Sequence, residues 1–414
     1  MTSFSDLFRV FGRIGLTSFG GPAAQISLIH KELVDDRPWL TEKEFLSALS
    51  FCMLLPGPEA MQLATYCGWK MRGTLGGLIA GLLFVLPGAA IIMVLALGYA
   101  AWGDFPVTQS IFLGIKATVI VIVLQALFKL SKKALKSTDS KLIALLSFAG
   151  IFLLNAPFPL IILAAGLWGA FKRSDAVPVQ AKLPAFATTL KTILVWTVIW
   201  ALPFFALWVF NASFLTEIAE FFSLLAVVTF GGAYAVLAYM TQAVVGDFGW
   251  LNTAEMIDAL GLAETTPGPL ILVTEFVGIL AGTKTAGVGL GLIAGLVTLW
   301  VTFAPCFLWI FVGAPYIDWL SAQPRINNAL SSISAAVVGV IFNLSVWFAL
   351  NVYFNSVTQL SIGPFEFPYP DIFTLSLLAV MLSIIAAIVM LVLKRSIIQS
   401  LLVMGCLGFI VSFF

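Results

Sequence analysis

The sequence predicts an all-α polytopic membrane protein: two homologous helical-bundle halves in inverted (antiparallel) topology, with broken helices. Three observations predict it. The 414 residues are 61% hydrophobic and only 10% charged, with a mean hydropathy of +1.06, which leaves too little polar surface to clothe a soluble globule. Many segments reach the roughly 20 apolar residues that a helix needs to cross about 30 Å of hydrocarbon, and strand-like alternation is absent, so helices rather than a barrel are expected. The third observation is a constant register. Phe19-Gly20-Gly21 recurs as Phe230-Gly231-Gly232 and Pro56-Gly57-Pro58 as Pro267-Gly268-Pro269, and 230 − 19 and 267 − 56 both equal 211. The same offset carries Trp39-Leu40 onto Trp250-Leu251, Glu44 onto Glu255 and Ala48-Leu49 onto Ala259-Leu260. A register kept over about 50 residues marks an internal duplication.

Residues 4–30 read as a first helix, interrupted at Gly20-Gly21-Pro22 and followed by a polar loop from Lys31 to Thr41. Residues 42–55 and 59–72 make one spanning length between them, broken where Pro56 and Pro58 remove amide donors around Gly57. Two clean spans follow at 75–101 and 107–130. Short apolar pieces at 142–155 and 158–171, joined by Asn155-Ala156-Pro157, form a hairpin. Residues 190–210 are a span with no counterpart in the first copy. The second copy repeats the order with 217–245, a broken element at 253–283, and 286–313. Then come 327–350, a polar loop at 351–370, and a final pair at 371–393 and 396–413. The domains expected are a first repeat over 1–172, a linker with one extra span over 173–212, and a second, inverted repeat over 213–414.

Lysine and arginine in short loops set orientation. With the basic loop at 129–141 (Lys129, Lys132, Lys133, Lys136, Lys141) in the cytoplasm, Lys70 with Arg72, Lys172 with Arg173, Arg325, and Lys394 with Arg395 fall inside. Lys31, Arg37 and Lys284 fall outside. The count is about 13 membrane segments, and the extra span makes the second copy enter from the opposite side. Net charge is +1, with cations spread among loops, so no nucleic-acid partner is expected. Cys52, Cys67, Cys306 and Cys406 lie in apolar runs without CxxC spacing, which reads as small buried hydrophobes, with no disulfide and no metal. His30, the only histidine, stands at a helix end beside Lys31 and Glu32, where it reads as solvated. Met1–Arg13 lacks the features of a secretory signal, so the first helix is expected to remain. One histidine, unpaired cysteines and the lack of a dinucleotide fingerprint argue against an enzyme and against any cofactor.

Proline and glycine inside a membrane helix free backbone groups that lipid cannot satisfy, so such breaks persist only where protein or a water-filled cavity covers them. A break also makes a helix N-terminus with free amides and a positive dipole end, which suits an anion. Two breaks at corresponding positions of antiparallel repeats are the layout of a secondary transporter. An anion channel is the rival, and the duplicated breaks favour a carrier.

Charged side chains are costly in a span. Arg13, two turns before Gly20, and Lys116, inside 107–130, are the cations expected to neutralise a bound anion, with snorkelling of Arg13 and pairing of Lys116 with a glutamate as the bland alternatives. Glu59, Glu264 and Glu275 flank the Pro-Gly-Pro breaks and are expected to serve proton coupling or gating. Ser18, Gln25, Gln62 and Tyr66 in the first copy, and Thr229, Tyr234, Thr265 and Thr266 in the second, supply hydroxyls and amides near the breaks.

Three stretches carry a family resemblance: Arg13-Ile14-Gly15-Leu16-Thr17-Ser18-Phe19-Gly20-Gly21-Pro22, Leu55-Pro56-Gly57-Pro58-Glu59-Ala60-Met61-Gln62-Leu63-Ala64, and Ala263-Glu264-Thr265-Thr266-Pro267-Gly268-Pro269. Together they resemble the signature of the chromate ion transporter family in its long, two-domain form. The resemblance implies secondary active export of chromate across the plasma membrane of a bacterial-type cell, conferring chromate resistance and driven by the proton-motive force. Sulfate is the look-alike cargo. The partners implied are chromate or sulfate, the lipid bilayer and, with oligomeric state left open, a homodimer. Substrate-binding weight then falls on Arg13, Ser18, Phe19, Gly20, Gly21, Pro22, Pro56, Gly57, Pro58, Gln62, Lys116, Thr229, Gly231, Gly232, Pro267, Gly268 and Pro269. The copies differ in that Ala233 stands opposite Pro22, Leu270 opposite Glu59, and Met53 opposite Glu264. The first copy is therefore expected to hold the anion and the second to supply proton or gating chemistry.

Overall fold

Helix starts are written into the chain as capping boxes. Ser3 with Asp6, Thr41 with Glu44, Ser137 with Ser140 and Ser396 with Gln399 each satisfy two amides that the first turn leaves unpaired. The structure, a computed structural model, describes residues 2–172, 186–230, 233–321, 323–363 and 365–413. Its helices in order are α1 (Phe4–Thr17), α2 (Gly21–His30), α3 (Glu42–Cys52), α4 (Glu59–Trp102), α5 (Pro106–Ala134), α6 (Thr138–Leu154), α7 (Phe158–Phe171), α8 (Phe186–Val209), α9 (Ser213–Val228), α10 (Ala233–Gln242), α11 (Thr253–Thr265), α12 (Val273–Ala286), α13 (Val288–Gly313), α14 (Ile317–Ser321), α15 (Pro324–Tyr353), α16 (Leu377–Ala387) and α17 (Ile397–Val411). Glu59–Trp102, Pro106–Ala134, Ala187–Val209, Val288–Tyr316 and Pro324–Tyr353 are long and apolar enough to cross a bilayer.

The breaks fall where proline and glycine predict them. Gly20 (φ 88°) and Gly21 (φ 76°) separate α1 from α2, and Gly57 (φ 119°) and Gly268 (φ 89°) sit at the centres of the two Pro-Gly-Pro segments. The polar loop expected over Lys31–Thr41 begins instead with a π-turn, Lys31–Asp35, continuous with α2. The polar loop expected at 351–370 is corrected more deeply. α15 runs to Tyr353, and β1 (Val357–Ile362) pairs antiparallel with β2 (Phe365–Pro370). β-Branched Val357, Thr358 and Ile362 ahead of a turn at Gly363 are a short hairpin signal that an overwhelmingly helical chain obscures.

Two compact units make up the chain, and each draws on both sequence repeats. The first comprises Met1–Leu97, Arg173–Ala233 and Thr266–Asn327. Within it α13 packs against α12, α8 and α9, Phe11, Phe84 and Phe276 are fully buried, and Trp196 stacks on Phe307 at 5.7 Å. α4 is two arms that turn at Arg72-Gly73 and fold back on each other through Gly68 and Gly76. α12 and α13 repeat that hairpin about Gly287, with Gly282 against Gly291. The differences 282 − 68, 287 − 73, 291 − 77 and 295 − 81 all equal 214, so the repeat register lengthens by three after Pro-Gly-Pro. A 3₁₀ turn, Leu270–Leu272, takes up the three residues. Only 11% of the most apolar window of α8 is buried, which leaves an apolar outer surface suited to lipid.

The second unit comprises Gly98–Lys172, Tyr234–Thr265 and Asn328–Phe414. Here α5 packs against α16, α17 and α11, with Gly114 and Gly408 allowing the backbones of α5 and α17 to meet. α6 and α7 form the expected hairpin, turning at Asn155 (φ 47°). Cys406 corrects the expectation of buried cysteines, since it is exposed on α17 whereas Cys52, Cys67 and Cys306 are buried.

Lys172 Nζ lies 2.8 Å from Asp139 Oδ2, with both side chains partly exposed. That hydrogen bond holds the Asp139 carboxyl below the ordinary carboxylate value. Its stabilisation is therefore present above the ordinary carboxylate range and is lost as pH falls through the lowered value. Asp139→Asn should cost no more than about 1 kcal/mol, less in high salt, as read by thermal unfolding at neutral pH.

Candidate functional site: crossed helix breaks

Ser18 ends α1 and Thr229 ends α9, and these residues correspond through the register, since 229 − 18 equals 211. Each carries the backbone carbonyl that the other copy's Pro-Gly-Pro needs. Gly57 N–H donates to the Thr229 carbonyl at 2.8 Å, and Gly268 N–H donates to the Ser18 carbonyl at 3.0 Å. The exchange is reciprocal: the glycine of each copy is stitched to the helix end of the other. Proline on both sides leaves that glycine amide as the only donor of the tripeptide. Burial makes its partner obligatory, because an unpaired amide away from water costs roughly 1–3 kcal/mol. Pro56, Gly57, Pro58, Pro267, Gly268 and Pro269 are all buried.

The two crossings are buttressed differently. At the first, Gly268 N–H also reaches Ser18 Oγ at 3.1 Å, and Gln25 Nε2 donates to the Ser18 carbonyl at 3.1 Å and to the Gly268 carbonyl at 2.6 Å. Val236 occupies the register position of Gln25. At the second, Gln62 Nε2 donates to the Pro56 carbonyl at 2.6 Å, while Gln62 Oε1 is buried without a hydrogen-bond partner. Ser18, Thr229, Gln25 and Gln62 are at most 2% exposed. Gly88 lets α4 approach Pro267, because a Cβ there would run into the Pro267 carbonyl.

α2 opens with Gly20 as its N-cap, with no side-chain capping bond and Pro22 in its first turn, so the free amides of its start remain available. Phe19, Gly20, Gly21 and Pro22 are half-buried there. Gly231 and Gly232, the matching pair, lie outside the described residues.

The cations expected at the site are engaged elsewhere. Arg13 is 66% exposed and lies 3.5 Å from Glu32, whose side chain is buried and also accepts from Arg37. Lys116, in the second unit, pairs with Asp258 at 3.0 Å rather than with a glutamate, and Tyr99 Oη donates to the other Asp258 oxygen at 2.7 Å. Asp258 is fully buried. An acid inside a spanning element was the signal that would have found it; nothing in the sequence pointed to Tyr99. His30 is not simply solvated: Glu42 lies 2.7 Å and Asp35 3.3 Å from its ring nitrogens.

Removing one partner of a buried ion pair strands the other charge. Lys116→Ala should therefore cost about 3–5 kcal/mol, and Lys116→Met with Asp258→Leu should recover most of that loss, as read by the unfolding temperature.

The three acids differ in setting. Glu59 opens α4, half-buried, directly after Pro58. Glu264, in the second unit, is 5% exposed and accepts from Tyr234 Oη at 3.0 Å. Glu275, in the first turn of α12, is fully buried, and neither carboxyl oxygen has a hydrogen-bond partner. Among the described residues no cluster of histidine, cysteine, aspartate or glutamate could hold a metal ion.

Comparison with known proteins agrees with this picture of a duplicated membrane protein. The profile described as "Chromate transporter" matches residues 5–170 and again 216–410. The chain is 32% identical over 344 residues to the chromate transport protein of Cupriavidus metallidurans, covering 81% of this chain and 80% of that one. It is 30% identical to the chromate transport protein of Pseudomonas aeruginosa, covering 87% and 84%. It is 29% identical to the probable chromate transport protein of Synechococcus elongatus, covering 82% and 83%. No solved structure matches. With one profile matched twice and most of the chain aligned to full-length relatives, this multi-pass membrane protein belongs to the chromate transporter family.

Proposed function

We propose that the chain is a secondary active exporter of chromate across the plasma membrane, conferring chromate resistance and drawing on the proton-motive force as a proton antiporter. The observation that carries the reading is the reciprocal pair of hydrogen bonds, Gly57 N–H to the Thr229 carbonyl and Gly268 N–H to the Ser18 carbonyl. Reciprocity of that kind is what a pseudo-two-fold axis produces, and an axis in the membrane plane gives antiparallel repeats with their breaks opposed. The repeats proposed are residues 1–172 and 213–414, joined by a linker over 173–212.

In this reading the dianion sits at the start of α2, held by the free amides after Gly20. Arg13 draws it in from the exposed face. Glu59, Glu264 and Glu275 carry protons or gate. Outward movement of a dianion from a negative interior is favoured by about 2.3 kcal/mol per charge per 100 mV, so protons matter most against a steep outside concentration. Sulfate shares the charge and tetrahedral shape of chromate and is the second cargo to be tested.

The test is uptake of radiolabelled chromate into inverted vesicles, with sulfate as competitor and with voltage and pH gradient imposed separately. Flux should respond to both gradients, and Arg13→Ala and Glu264→Gln should each lower it at least tenfold. Flux indifferent to voltage and to pH would overturn the carrier reading, and normal flux in both variants would overturn the site.

A further inference from the structure

We propose that the second unit carries a separate binding site for a small organic cation, an aliphatic amine bearing several hydrogen-bonding groups, in the cleft beneath the β1–β2 hairpin. The cleft encloses about 380 Å³, within the range of roughly 300–1,000 Å³ usual for small-molecule sites. Its floor is Thr241 on α10, 4% exposed, whose Oγ1 is buried without a hydrogen-bond partner. A hydroxyl in that state costs free energy unless something entering the cleft satisfies it.

The roof follows from strand alternation. Gln359 pairs with Pro368 and Ser361 with Glu366, so Val357, Gln359, Glu366 and Pro368 share one face of the hairpin, and all four line the cleft. The walls supply amides from Asn343 and Asn351 and the ring of Trp347. At the mouth, exposed Asp247 and Glu366 add two carboxylates. No lysine, arginine or histidine is among the described residues that line the cleft.

That lining selects by charge. Two carboxylates with no opposing cation repel an oxyanion and attract a cation. The Trp347 face favours an ammonium group, and the amides and Thr241 provide both donors and acceptors for the remainder of the solute. A bare metal ion would leave most of the volume unfilled. Lys141 stands in the first turn of α6 and Lys172 directly after α7, whereas Ile151, Phe152 and Asn155, at the turn that joins the two helices, line the cleft. Under the positive-inside orientation the cleft therefore faces away from the cytoplasm.

Calorimetry on the full-length protein in lipid nanodiscs, with spermidine as probe and glucose and sulfate as comparisons, tests the site. Spermidine should bind saturably and the other two should not. Thr241→Val should weaken spermidine binding roughly tenfold. Asp247→Asn with Glu366→Gln, both at exposed positions and without consequence for folding, should weaken it roughly tenfold or more and remove its salt dependence. Absence of binding by all three solutes, glucose binding in place of spermidine, sulfate binding that Thr241→Val reduces, or spermidine binding untouched by the variants would each overturn the proposal.

Discussion

Gly57→Ala is expected to abolish chromate flux and to lower stability by about 2–5 kcal/mol, well beyond the effect of the same change at Gly268. Both glycines hold a positive φ, 119° at Gly57 and 89° at Gly268, and each non-glycine replacement there costs about 1–2 kcal/mol. Surroundings decide the rest. A Cβ at position 57 would lie 2.7 Å from Gln62 Nε2 and 2.9 Å from Cys306 Sγ. Neither neighbour can retreat cheaply, because Gln62 is tied to the Pro56 carbonyl and both are buried. A Cβ at position 268 would first meet Leu272 Cδ1 at 3.1 Å, the free end of a flexible side chain. Thermal unfolding of purified protein, followed by vesicle flux at a temperature where both variants are folded, separates the two effects. Equal stability of Gly57→Ala and the wild type would show that the crossing tolerates a side chain there.

Much of this architecture was legible as spacing. The 211-residue register and its prolines located both breaks, and each broken helix appears where the sequence predicts it. What spacing could not supply was partnership. That Gly57 bonds to Thr229 and Gly268 to Ser18 is a tertiary fact, although the register already named these residues as equivalent. The three-residue lengthening at Leu270–Leu272 was hidden because the Pro-Gly-Pro register ends just before it. Beyond that turn, Glu275 corresponds to Met61, since 275 − 61 equals 214, so the second copy introduces an acid where the first buries a thioether. The hairpin at 357–370 was missed for a different reason. Two six-residue strands that pair with each other leave a short polar signal with no core-facing hydrophobic stripe. Lys116 was recognised as an intramembrane cation, but its counter-charge, Asp258, lies 142 residues away (258 − 116), a distance no local pattern spans.

Glu275→Gln is expected to remove the response of chromate flux to an imposed pH gradient while leaving the response to voltage. Glu275 is fully buried with neither oxygen hydrogen-bonded, so a proton can be gained or lost there without breaking another contact. Glu264 is different, because it holds the Tyr234 hydroxyl at 3.0 Å, and a change in its protonation also rearranges that bond. Gln at 275 keeps the volume and fixes the neutral form, so folding should be within about 1 kcal/mol of wild type, whereas flux at zero voltage with an imposed pH gradient should fall at least tenfold. Glu264→Gln should instead depress flux under both driving forces, because the Tyr234 bond is altered whichever gradient is applied. Measuring both variants in potassium-clamped vesicles, with voltage and pH stepped independently, reads these outcomes directly. A Glu275→Gln protein that keeps its full pH response would move proton coupling away from α12. If Glu264→Gln lost only its pH response, the coupling would belong to Glu264 and Tyr234.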